Sequence, residues 1–295
     1  MVRNRTKRAT SMGATTVRAG TVLGAIAMVV AMISVVGGGA SGAATGVKHR
    51  AAANPYHLIN PGTLTVGMDL SFKPEMYLNK KGKPAGYDVA LLDRLAHTMH
   101  VKLDISNLGF TGLIPGLEAK KFDLVSVGLS PTPAREKSVS FSRAYVPYEL
   151  ILGVPVTSKT PATIAAWNKP TITITALEGS TDTQLAKKLF PKAKVVGYSG
   201  DTAALLQVAT HRANAVMIES YLLGEFQKSN PRKLKAEPFK KPLTIQYGSY
   251  AVQKGNGALV RYLNKWICGI QKSGWMASAY KKTESAPLPP MPRCP

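Results

Sequence analysis

A strand–helix–strand–helix–strand pattern occurs twice along this chain, and no other feature restricts its fold as much. Leu64 to Met68 reads as a strand, and Gly86 introduces a helix with Val89, Leu92, Leu95, Ala96 and Met99 at helical spacing. Val101 to Ile105 is a second strand, Leu113, Ile114 and Leu117 mark a short helix, and Phe122 to Val127 is a buried strand. From Thr171 the order returns: strand Thr171 to Ala176, helix Asp182 to Leu189, strand Ala193 to Val196, helix Asp201 to Ala209, strand Asn214 to Ile218. Two such units, joined by Leu150 to Val156 and Lys241 to Ala251, predict an α/β fold. It has two βαβαβ lobes joined by two crossing hinge segments, with a cleft where the strand ends face each other. Residues 60–152 form the first part of lobe 1 and 153–246 form lobe 2. Residues 247–285, with the amphipathic run Ala258 to Ile270, return to lobe 1. The Pro-rich residues 286–295 are a surface tail.

The N-terminus has the layout of a secretory signal. Arg3, Arg5, Lys7, Arg8 and Arg18 precede an apolar run from Thr21 to Val36 and the small-residue stretch GGGASGAA. This predicts a signal peptide over 1–44, cleaved near Ala43 or Ala44, then a linker over 45–59. A retained membrane anchor is the other reading of the run, and its Gly and Ala content favours removal. In an exported chain the two cysteines, Cys268 and Cys294, are expected to form a disulfide that ties the tail to the last helix. The net charge of +22 raises nucleic-acid binding, but the basic residues are scattered in singles and pairs, so a solvated basic surface is expected and no nucleic acid. No G-x-S-x-G, H-E-x-x-H or P-loop is present, and no metal or cofactor is expected.

The stretch Phe110 to Tyr145, FTGLIPGLEAKKFDLVSVGLSPTPAREKSVSFSRAY, carries the chemistry. Its strand ends in a polar turn opening a helix, with Thr132 as N-cap and Pro133 at the first helical position. Ser130 and Thr132 offer hydroxyls, and Arg135 offers a planar fork that suits a carboxylate. GLIPGL, Asp123, SPTPAR and VSFSRAY resemble the "G-L-I-P-A-L…D…T-I-T-P-E-R…V-D-F-S-x-P-Y" run of the family 3 bacterial solute-binding proteins, the amino acid receptors of ABC importers.

Further motifs extend the resemblance over nearly all of residues 60–285. VGMDLSFKPEM is similar to the family's "V-G-x-D-x-x-Y/F-x-P-F", with Glu75 where a second aromatic commonly stands. By residue type alone Asp69 is a turn Asp and Phe72 a core Phe. The resemblance implies that Asp69 contacts the ligand side chain and that Phe72 and Phe110 stack on it. Thr181 with Gln184 reads as a capping box, and the resemblance makes Ser180 and Thr181 a turn closing on the ligand carboxylate from the far lobe. NAVMIE stands where the family has "D-A-V-x-x-D", so Glu219 is either a surface glutamate or the partner of the ligand ammonium. The implied protein is a monomeric periplasmic receptor. It captures a free amino acid and delivers it to the membrane permease subunits of an ABC importer, and it is not an enzyme. The alternative is an enzyme resembling the family's cyclohexadienyl dehydratase, whose catalytic glutamate would fall where this chain has Leu222.

Overall fold

The computed structural model describes residues 54–295. The expected signal peptide and residues 45–53 of the expected linker lie outside the described residues. The rest of that linker is tied to the body of the protein. Asn54 Oδ1 accepts the Leu58 N–H at 2.8 Å, Asp123 Oδ1 accepts the Ile59 N–H at 2.7 Å, and the Tyr56 ring lies 4.5 Å from Tyr262.

The first βαβαβ unit is β1 (Thr63–Met68), a small antiparallel sheet of β2 (Ser71–Phe72), β3 (Met76–Leu78) and β4 (Pro84–Ala85), α1 (Tyr87–Met99), β5 (Lys102–Asn107), α2 (Leu113–Glu118) and β6 (Leu124–Leu129). Then come α3 (Pro133–Ser138), β7 (Val139–Pro155) and a single turn, α4 (Ile164–Trp167). The second unit is β8 (Thr173–Leu177), α5 (Thr181–Leu189), β9 (Lys194–Tyr198), α6 (Asp201–Ala209) and β10 (Ala215–Glu219). After it follow α7 (Ser220–Ser229), β11 (Leu234–Ala236), β12 (Thr244–Gln253), α8 (Gly257–Lys272) and α9 (Trp275–Glu284).

The helix faces read from spacing are the buried ones: Val89, Leu92, Leu95, Ala96 and Met99 all lie under α1. Each of the valine, leucine and methionine side chains removed from water contributes about 1.5–3 kcal/mol. The strand expected at Phe122 begins two residues later. Phe122 instead packs its ring against the backbone at Gly67 and Gly116, where no side chain would fit. The near-continuous burial of β1, β6, β8 and β10 suits parallel strands covered on both faces.

One sheet runs through both units, in the order β5-β1-β6-β12-β7-β10-β8-β9, with β11 added on β7. The outer trios β5-β1-β6 and β10-β8-β9 are parallel within themselves, and β12 and β7 join them through antiparallel pairs. The expected crossings are therefore the two central strands of a continuous ribbon. The first starts well before Leu150: β7 has 17 residues, roughly 56 Å at 3.3 Å per residue. Cys268 and Cys294 are bonded, and Arg143, Gln271 and Lys272 donate to the tail carbonyls of Arg293, Pro292 and Pro295. Among the described residues no helix is long and apolar enough to cross a membrane.

Candidate functional site

The C-terminal ends of β6 and β8 deliver the two capped turns. Thr132 caps α3 as its spacing indicates, its Oγ1 accepting the Arg135 N–H at 3.2 Å. The cap holds Arg135 at the third helical position, where its side chain turns back under the strand end. Nη1 donates to Ser130 O at 2.8 Å, and Nη2 reaches across to Gly179 O at 3.1 Å. The guanidinium carbon sits 5.7 Å from the Phe110 ring centroid. Burial pulls the Arg135 pKa down to about 10, partly opposed by Asp182, so the group is cationic at neutral pH.

At the second turn the cap is Ser180, not Thr181. Ser180 Oγ accepts the N–H groups of Asp182 and Thr183 and donates to Leu177 O. Thr181 is thereby free to donate its hydroxyl to Gln246 Oε1 at 2.6 Å, and Ser130 Oγ donates to the same oxygen at 3.0 Å. Gln246 lies on β12, so one acceptor in the connecting ribbon ties together the turns of both units.

These groups enclose a cavity of about 30 Å³, room for a water or two. Phe72, Phe110, Ser130, Arg135, Ser180, Thr181 and Glu219 line it, together with Gln246 and Tyr148. The Phe72 and Phe110 rings meet on one side, their centroids 6.3 Å apart and tilted by 55°. Asp69 and Thr132 are absent from the lining. Asp69 braces the wall instead: Oδ1 accepts the Ser71 N–H and hydroxyl, and Oδ2 accepts the Phe110 N–H at 2.9 Å. Glu75 turns away altogether. It is fully buried, accepts the Tyr148 hydroxyl at 2.7 Å, and lies near Asp88, which accepts from Ser126 and Tyr145.

Gly128 marks the closest packing of this wall. Its φ is +58°, and an added Cβ would lie 1.7 Å from the Tyr148 hydroxyl oxygen. The Gly248 Cβ position would in turn lie 2.5 Å from Gly128 Cα, so β6 and β12 approach through two side-chain-free residues.

Glu219 ends β10 with Oε2 buried and unpartnered. One oxygen of Glu219, one of Asp182 and one of Asp201 lie within 4.8 Å of one another. Burial pushes the Glu219 pKa up to about 7, against a lowering by hydrogen bonds to its own backbone and to Asp182. Sequence reasoning missed Gln246, Tyr148, Asp182 and Asp201. Asp182 and Asp201 stood only as the first residues of two expected helices, and Gln246 stood in a crossing treated only as a connection.

Residues 64–283 match the bacterial extracellular solute-binding proteins, family 3. The chain is 27% identical over 213 residues to ABC transporter arginine-binding protein 1 of Escherichia coli (strain K12), covering 72% of this chain and 86% of that protein. It is 22% identical over 221 residues to the cyclohexadienyl dehydratase of Pseudomonas aeruginosa, covering 74% and 81%. Among solved structures, an ancestral amino acid-binding protein that is a precursor of cyclohexadienyl dehydratase matches with a TM-score of 0.68 at 29% identity, over 75% of this chain and 95% of that one.

Proposed function

This chain belongs to the bacterial extracellular solute-binding proteins, family 3, and we propose that it captures a free amino acid between its two units and delivers it to the permease subunits of an ABC importer. The observation that carries this reading is the single enclosure lined by Arg135 from α3, the Ser180–Thr181 turn of α5 and Glu219 of β10. It sets a cationic fork and hydroxyls for a carboxylate opposite an acceptor for an ammonium. Phe72 and Phe110 offer an apolar wall to the side-chain stem, and Asp69 holds Phe110 in that wall.

The cavity is too small for an amino acid, so the ligand enters with the two units apart. In that form Arg135 has left Gly179 O, and a ligand carboxylate takes the place of the carbonyl when the units close again. Residues from both units touch the ligand, so binding favours closure by the difference in its affinity for the two forms. The motion falls on β7 and β12, the strands common to both. A binding role rather than catalysis is supported by Leu222, which is buried in the core at the position that the dehydratase resemblance assigns to its glutamate. The leader over 1–44 directs the chain across the membrane, and the receptor works in the periplasm as a monomer.

The test is a thermal-shift screen of purified protein, unfolded and refolded to remove carried ligand, against the twenty amino acids and prephenate-like acids. Stabilisation by one or a few amino acids is the expected result, since the shift follows ligand concentration over Kd. A shift confined to a cyclic carboxylic acid would transfer the chain to the enzyme class.

A further inference from the structure

Glu75 is a fully buried carboxyl behind the cavity wall, in the turn between β2 and β3, and a carboxyl in such a place is costly unless it is bonded. Its backbone is pinned to the start of α1. Glu75 O accepts the Asp88 N–H at 3.0 Å, and a Cβ on Gly86 would lie 2.2 Å from the same oxygen. Among the described residues the side chain has one hydrogen-bond partner, the Tyr148 hydroxyl, which donates to Oε2 at 2.7 Å while Oε1 stays unpartnered. Tyr148 lines the cavity. The single bond of this buried acid therefore leads to the ligand site.

The sheet places Tyr148 next to Glu219. Leu150 of β7 pairs with Glu219 of β10, and Tyr148 is two residues along β7 on the same face, with Glu149 turned outward between them. The Tyr148 hydroxyl rests on Gly128, where no Cβ leaves room for movement. A phenol has one hydrogen to give, and this one goes to Glu75, so the oxygen has only lone pairs left to offer. The groups around Glu75 keep it an acceptor. Asp88 of α1, Glu284 of α9 and Glu219 of β10 all oppose its ionisation, the nearby phenols are Tyr87, Tyr148, Tyr221 and Tyr280, and among the described residues no lysine or arginine is paired with it.

We propose that Glu75 is a positioning residue for the ligand: it holds the Tyr148 hydroxyl at the cavity wall with its hydrogen turned away, so that Tyr148 accepts from the ligand ammonium beside Glu219. This rests on the amino acid receptor reading above and adds a second acceptor to its ammonium site. Glu75 acts as the neutral acid. Burial, and then the charge of Asp88, hold its pKa well above the usual carboxylate range, against a lowering by the Tyr148 bond. A neutral carboxyl still accepts through its carbonyl oxygen, and it spares the core a second negative charge beside Asp88.

The experiment is calorimetric titration of the purified protein with each of the twenty amino acids at pH 6 and pH 8. It is repeated on Glu75→Gln, Glu75→Leu, Tyr148→Phe and the double variant Glu75→Leu/Tyr148→Phe. For the amino acid that the parent binds most tightly, Tyr148→Phe and Glu75→Leu should each weaken binding about tenfold. The double variant should match either one within about threefold, because the two residues act in series. Glu75→Gln keeps a carbonyl acceptor and has no proton to lose. It should stay within about threefold of the parent at both pH values, sharing whatever pH dependence Glu219 imposes. A merely structural Glu75 would alter the melting temperature and leave the affinity of the folded fraction unchanged. Parental affinity in Tyr148→Phe, losses that multiply to about 100-fold in the double variant, a tenfold loss in Glu75→Gln, or a parent that departs from Glu75→Gln between the two pH values would each overturn the proposal while the receptor reading stands. Tyr148→Phe and Glu75→Gln decide it even where Glu75→Leu does not fold. Binding of no amino acid by the parent would overturn the receptor reading beneath it.

Discussion

Arg135 and Asp123 are both polar residues singled out by the same sequence stretch, and the structure gives them opposite duties. Arg135 faces the cavity with its fork held by the carbonyls of Ser130 and Gly179. Arg135→Ala should weaken amino acid binding about 100-fold or more, because truncating one partner of a desolvated charge pair costs roughly 2–5 kcal/mol. Arg135→Lys should recover little of it, since an ammonium cannot reproduce the bidentate fork. Unimpaired binding by the alanine variant in a titration would rule out the carboxylate role. Asp123 faces inward: it accepts the N–H and hydroxyl of Thr65 and the N–H of Ile59. Asp123→Asn puts an amide donor against those donors, and should lower stability by about 2 kcal/mol in a denaturant titration while the folded fraction keeps its ligand affinity. Thr132 and Arg135 were legible in the sequence because a cap acts within a few residues of itself. Asp182, Asp201 and Glu219 were not recognisable as a cluster, because they meet only where three separate strand–helix junctions converge.

At the scale of elements, long periodic segments were legible and short ones were not. The helix over Asp201–Ala209 has the limits its pattern indicated, and α1 buries its marked face. The strands β2, β3 and β4 have two or three residues each, too few for alternation to register. The ribbon of β7 and β12 was seen only in part, because a strand that serves both units alternates against two different surroundings along its length. Where that ribbon meets β6, Gly128 and Gly248 let the backbones touch. Gly128→Ala therefore needs both a left-handed backbone and displacement of Tyr148. It should cost about 3 kcal/mol or more, and moving Tyr148 should also disturb the cavity it lines. A melting temperature within a degree of the parent would show that the approach of β6 to β12 is looser than described.

For the whole molecule, the distribution of acids governs the response to pH. Asp88 is pushed up to about 6, Glu219 and Glu284 to about 7, and Glu75, Asp182 and Asp201 well above the usual carboxylate range, in each case chiefly by burial. A carboxyl whose folded pKa exceeds its unfolded one binds protons more strongly when folded. Its contribution is fully present below about pH 4 and is lost as pH rises through the folded value. The melting temperature of protein without added amino acid should therefore fall by about 5 °C or more from pH 5 to pH 8. A flat or rising profile in scanning calorimetry would contradict the buried-acid account. None of this was visible from composition, which counts acids without saying which of them the fold removes from water.

Chain order and sheet order also disagree, and this has a consequence during synthesis. β12 lies between β6 and β7, yet residues 244–253 leave the ribosome after every other strand has been made. Until then the sheet has no seam between β6 and β7, and α8, α9 and Cys294 have still to follow. A nascent chain of 240 residues holds all the pieces of its sheet except the one that stitches them. The sheet can be completed only after that strand has been made, late in translation.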